Sequence, residues 1–138
     1  MADERRQIRA VVRALEGVAE RVVAKIVLDV TANLIETTPV DTGWARANWV
    51  PAIGAAYAAD LRGVSPTIGA ISGADVLQVA GQTAVATGYR IGQGSVFVSN
   101  NVPYITRLND GSSSQAPAGF VQRAIAKAVT RDIVGLRV

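Results

Sequence analysis

The sequence predicts an α+β fold of one domain. It has a long N-terminal helix, a small antiparallel sheet of about three strands with a β-hairpin, a short middle helix, and a C-terminal helix packed on the sheet. Three observations carry this. Apolar residues recur at the 3.6-residue period of a helix over 3–36. Short alternating apolar segments between Gly and Pro mark strands at 43–50 and within a hairpin at 88–100. A second helical period closes the chain over 117–135. The length of 138 residues suits a single domain.

In the first helix the periodic positions are Ile8, Val12, Leu15, Ala19, Val22, Ile26, Val30 and Asn33/Leu34. Asp3 and Glu4 suit the positive end of its dipole. Its first half, DERRQIRAVVRALEG, is amphipathic and charged. Its second half, VVAKIVLDV, is apolar nearly all round and predicts burial on more than one side. At 1.5 Å per residue the helix spans roughly 50 Å. A compact chain of this length is only about 37 Å across. The helix therefore kinks, at Gly17, or projects and packs on other subunits; projection is the preferred expectation. Val22, Val23, Ile26, Val27 and Val30 are the candidate subunit interface.

Pro39 ends this helix, because the residue before a proline is pushed out of the α region. WARANWV is read as a strand, with a short helical turn at its start as the alternative. Residues 51–72, rich in Gly, Ala and Pro without a period, are read as a flexible arm or loop. Residues 73–87 form a short helix weakened by Gly81. GYRIGQGSVFVSNN is the hairpin, with Val96 and Val98 on one face and Phe97 on the other. VPYITRLNDG is a short helix or turn. In the closing helix Phe120, Ala124, Ile125, Ala128 and Val129 share one face, and Arg123, Lys127 and Arg131 form a basic stripe.

Composition removes whole classes of chemistry. Neither cysteine nor histidine occurs, so disulfides, thiolate nucleophiles, Ser-His-Asp triads and Cys- or His-based metal sites are excluded. No metal site, cofactor or catalytic residue is expected. The formal charge of +3 is too small for a nucleic-acid footprint by itself. The N-terminal segment lacks the apolar stretch of a secretory signal, and no apolar run reaches membrane-spanning length.

The stretch TTPVDTGWARANW contains Asp41-Thr42-Gly43, the tripeptide of aspartic proteases, and Ile133-Val134-Gly135 supplies an apolar-apolar-Gly triplet. The alternative function is therefore a homodimeric retroviral-type protease using Asp41, in which two carboxylates share a proton and activate water. The context disfavours it. A helix, not an apolar strand, precedes the tripeptide, and bulky Trp44 follows. Gly135 is more economically a helix C-cap.

Taken whole, TPVDTGWARANW resembles the first motif box of the neck and tail-completion family of long-tailed bacteriophages, the minor tail protein Z type of tail component. VFVSNNVPYITRLNDGSSSQAPAGFVQRAI is similar to that family's second box. The boxes cover 38–49 and 96–125, and residues 50–87 carry no resemblance. The family's motif positions here are Pro39, Asp41, Thr42, Gly43, Trp44, Arg46, Trp49, Asn100, Pro103, Tyr104, Asn109, Gly111, Pro117 and Phe120. Each has a structural job to do: Asp41 and Thr42 in a turn, Gly43 permitting it, the tryptophans as anchors, Arg46 pairing with Asp41 or Glu36.

The resemblance implies a virion structural protein at the neck and tail end. It assembles as a homo-oligomeric ring around the DNA channel, beside other neck and tail-tube proteins, in the host bacterial cytoplasm. DNA passes without sequence-specific binding, with Arg123, Lys127 and Arg131 as candidate lumen charges, and no membrane is involved.

Overall fold

The computed structural model describes residues 2–39, 44–58 and 73–136. Its elements are α1 (Ala2–Thr37), α2 (Trp44–Ala47), β1 (Val50–Ile53), α3 (Gly73–Gly88), β2 (Val96–Ser99), α4 (Ile105–Asn109) and α5 (Phe120–Val134). The fold is α+β.

Helix α1 runs unbroken through Gly17 for 36 residues, about 54 Å at 1.5 Å per residue. Every residue from 2 to 16 is exposed, so the first half projects from the domain. Burial deepens along the second half. Val22, Val23, Ile26 and Val27 are half-buried, and Val30, Thr31, Asn33 and Leu34 are buried.

The core forms where the buried end of α1 meets α5. Val30, Leu34, Trp49, Ala124 and Ala128 make one cluster, with Ile26, Ile35, Val98, Ile105 and Val121 packed around it. Ala124 and Ala128 are small, which lets the two helix axes come close. Asn33 Nδ2 bridges the seam by donating to the Ala124 carbonyl at 3.2 Å. Through Val98 the same cluster joins the C-terminal helix to the sheet.

The sheet has two strands, not three. β1 pairs antiparallel with β2 in the register Val50↔Ser99, Pro51↔Val98, Ala52↔Phe97 and Ile53↔Val96. Phe97 faces outward and its neighbours inward, as the alternation predicts.

Five expectations need correction. The strand expected at 43–50 begins only at Val50, because residues 44–47 form the helical turn α2. Its continuation, residues 51–53, was expected to belong to the arm. Residues 54–58 have no regular structure, and 59–72 lie outside the described residues. The hairpin at 88–100 does not form. The Ile91 N–H is taken by Glu20 Oε1 of α1 at 3.0 Å, and Arg90 N and Gln93 N close a local turn through Gln93 Oε1 and the Arg90 carbonyl. Gly92 and Gly94 take φ of +98° and +89° in this turn, which delivers the chain to β2 so that it pairs with β1 instead. Finally, the buried face of α5 is Phe120, Ala124, Ala128 and Asp132, while Ile125 and Val129 are exposed. Helix α5 also starts at Phe120, three residues after Pro117, which stays in the loop.

Gly81 is not a weakness in α3. A Cβ there would stand 2.3 Å from the Pro51 carbonyl oxygen and 3.0 Å from Pro51 Cδ, so the glycine lets α3 lie directly on β1. Pro51 has no N–H to donate, which suits a strand of a two-stranded sheet. Ala is favoured over Gly in a helix interior by about 1 kcal/mol. Here the clash reverses that preference, and Gly81→Ala is expected to destabilise by about 1–3 kcal/mol. Gly88→Ala, which meets nothing within 4 Å, is the control and should be neutral or slightly stabilising. Urea midpoints of the two variants decide this; equal midpoints would show that α3 does not rest on β1.

Candidate functional site

The two motif boxes, far apart in sequence, meet at one junction around the end of α1. Trp49 Nε1 donates to Thr38 Oγ1 at 2.8 Å, and the Thr38 hydroxyl in turn donates to the Leu34 carbonyl. Gln78 Nε2 of α3 donates to the carbonyls of Arg46 and Trp49 at 3.1 and 3.0 Å. Trp44 packs edge-on against Tyr104, with ring centroids 5.4 Å apart. Asn100 Nδ2 donates to the Ala45 carbonyl at 2.7 Å, and its Oδ1 accepts from Val102 N at 3.1 Å.

The motif residues of the second box act on α5. Its N-cap, Gly119, has a left-handed φ of +77° and no side chain to cap with. Asn109 supplies the missing acceptor: its Oδ1 takes the Val121 N–H at 3.0 Å, and its carbonyl takes the Gly119 N–H at 2.7 Å. Gly111 sits at φ +96°, and a Cβ there would press on Ala118 at 3.2 Å. Pro103 and Pro117 are exposed, while Pro39 and Phe120 are buried.

Asp41, Thr42 and Gly43 lie outside the described residues. The chain before them is helix to Thr37, and helix resumes at Trp44. Gly135 is the C-cap of α5, as the sequence implies. Arg46 does not pair with the Glu36 carboxylate. It donates to the main-chain oxygens of Glu36 and Thr38 at 3.2 and 3.3 Å. Helix α1 has no basic residue in its last turn, so Arg46 supplies the cation its negative end lacks.

Beside this junction, α1 and α5 enclose a pocket of about 300 Å³. Its lining holds three cations, Arg46, Arg123 and Lys127, against one carboxylate, Glu36, with Asn33, Thr38 and Gln115 among the polar groups. Arg46 Nε is buried and has no hydrogen-bond partner among the described residues.

Arg131 does not belong with the other two cations of its stripe. It pairs with Asp29 at 3.0 Å, while Lys25 pairs with the same Asp29 oxygen at 2.8 Å and with Asp132 Oδ1 at 3.3 Å. The Asp132 side chain is 2 % exposed. Neither of its oxygens has a partner at hydrogen-bond geometry, so the cations reach it as ion pairs only. Two carboxylates and two cations thus neutralise one another between α1 and α5.

The sequence reading missed Thr38, Gln78, Asn33 and Asp132. Asn33 and Asp132 fall on the periodic apolar faces of their helices, which was the available signal. Among the described residues no cluster of His, Cys, Asp or Glu could hold a metal ion. Nor is any described helix long and apolar enough to cross a membrane. Comparison with protein families, curated proteins and solved structures finds no match.

The carboxylate network fixes a pH dependence. Burial raises the Asp29 carboxyl, but its contacts with Lys25, Asp132 and Arg131 outweigh burial and hold it below the usual Asp value. The contacts with Asp29 and then Asp132 hold Lys25 above the usual Lys value. The Asp29 contribution to stability is therefore present above about pH 3.9 and lost as pH falls through its lower folded value. The Lys25 contribution is present at neutral pH and lost only as pH rises through its raised value. Melting temperatures followed from about pH 5 to pH 2 should fall more steeply for the wild type than for Asp29→Asn. Parallel curves would remove Asp29 from the stability of the seam.

Proposed function

We propose that this chain is a structural protein of the phage neck and tail end, assembling as a ring around the DNA channel. The observation that carries the reading is the projecting half of α1. Residues 2–16 are exposed, yet Ile8, Val11, Val12 and Leu15 are 63, 59, 46 and 61 % exposed and fall on one face. Monomers rarely leave such a stripe uncovered. A helix that extends beyond its own domain reaches a neighbour, and heterologous contacts repeated around an axis close a ring.

The motif resemblance supports the same reading, since the two boxes build one junction. That junction holds the end of α1 rigidly, and so aims the projecting half. The neighbours are further copies, other neck proteins and the tail tube. Of the three candidate lumen charges, Arg131 is committed to Asp29, and Arg123 and Lys127 stand outside that network. The interface shifts toward the start of the helix: Val22, Val23, Ile26 and Val27 are half-covered by the chain itself, and the wholly exposed stripe precedes them.

Two experiments test this. Ile8→Asp with Leu15→Asp should leave the circular dichroism spectrum and melting temperature of the monomer unchanged, since every residue of the stripe is exposed. Rings should fail to form, and heads and tails should accumulate separately in electron micrographs. Normal particles from this variant would refute the role given to the projecting half of α1. The protease alternative is tested with Asp41→Asn. The wild-type protein is expected to show no peptide cleavage at acid pH; cleavage abolished by Asp41→Asn would replace the structural reading.

A further inference from the structure

The projecting start of α1 and the cationic pocket sit at opposite ends of the same helix, and their charges are complementary. We infer that the first turn of α1 in one copy docks, through Asp3 and Glu4, into the pocket of Arg46, Arg123 and Lys127 in a second copy. This rests on the ring reading above.

Among the described residues, three cations line the pocket against one carboxylate, and Arg46 Nε is buried without an acceptor there. Pro117, Phe120 and Arg123 bring the start of α5 to its wall, and the positive end of that helix adds to the field. Three of the chain's other carboxylates are already engaged elsewhere. Asp29 and Asp132 are held by Lys25 and Arg131, and Glu20 is bound to the Ile91 N–H.

Asp3-Glu4 is the one pair of adjacent acids in the sequence. Both are exposed in the first turn of α1. Glu4 lines a shallow groove with Gln7, Ile8, Val11 and Val12, so it lies on the face of the apolar stripe. Burying the stripe against a neighbour brings Glu4 to the same surface. The apolar residues supply contact area, and the acids fix which surface is chosen and in what register.

Docking within one chain is ruled out by length. Glu4 and Asn33, which lines the pocket, are separated by about 44 Å of continuous helix at 1.5 Å per residue. A contact between them is a contact between copies. It is also heterologous, because the two surfaces differ, and each copy offers one of each.

The chain has no cysteine, so Glu4→Cys with Lys127→Cys reports the contact directly in the full-length protein. Oxidation of assembled protein should give a ladder of dimers, trimers and higher species. Glu4→Cys with Thr87→Cys, on the exposed face of α3, should give none. Asp3→Lys with Glu4→Lys should weaken association about tenfold or more, as should Arg123→Glu with Lys127→Glu. Combining the four changes should restore it, which a merely structural role for these residues does not predict.

Rings that form without the Glu4–Lys127 ladder, and without rescue by the combined variant, overturn the docking while leaving the ring reading intact. A wild-type protein that forms no ring at any concentration, with no ladder from Glu4→Cys with Lys127→Cys, overturns both. Should Arg123→Glu with Lys127→Glu assemble normally but release DNA from filled particles, the pocket serves phosphates and the docking is wrong.

Discussion

Everything in this molecule hangs on the seam between the second half of α1 and α5. Ala124 and Ala128 are small enough to let the helices touch, and Val30 and Leu34 fill the space against them. Trp49 joins that cluster and pins the chain that leaves α1. Each fully buried aliphatic or aromatic side chain contributes about 1.5–3 kcal/mol relative to exposure. The sheet is too small for independent stability, because two strands alone are marginal in water. It persists because Val98 reaches the seam and α3 lies on Pro51.

Polar groups inside this seam are as constraining as the apolar ones. A buried donor without a partner costs about 1–3 kcal/mol. Thr38 meets that demand twice, accepting from Trp49 and donating to Leu34. Gln78 ties α3 to two carbonyls of the first box, and Asn33 ties α1 to α5. These bonds choose one arrangement of helices that apolar packing alone leaves loosely specified. Asp132 is the contrasting case. It is buried without hydrogen bonds, and its charge is tolerated because Lys25 and Arg131 stand beside it. Removing either cation would leave a carboxylate stranded in the seam.

The helices were legible because their signal is local. Period and proline gave α1 its limits within a residue, and the closing helix was placed to within three. The strands were not, because pairing is a property of two segments. Tyr89 and Ile91 have the composition of a strand, but Glu20, on a helix far away in sequence, takes the Ile91 N–H. Gly81 read as a defect because its purpose, contact with Pro51, is invisible in α3 alone. Arg131 read as one of three equivalent stripe residues, since nothing in α5 shows that Asp29 lies opposite. The motif positions were legible as a set, but their mutual contacts were not. Asn109 as a remote cap for α5 and Arg46 as a remote cap for α1 emerge only once the boxes meet.

The same seam explains why one helix can both fold and assemble. A helix that contributes apolar residues to its own core along its whole length has no surface left for a neighbour. Here the two uses are separated along the axis. Val30, Thr31, Asn33 and Leu34 of α1 are buried, whereas every described residue before Gly17 is exposed. An isolated helix of about fifteen residues is marginal in water, yet the projecting half is not isolated, because it continues a helix already nucleated and held by the seam. Its helical form is therefore inherited from the core, which removes most of the ordering entropy from the assembly step. Substitutions at Ile8 or Leu15 then act on association, and substitutions at Leu34 or Ala128 on folding. The half-buried residues between them, Val22, Val23 and Val27, are where the two effects must mix.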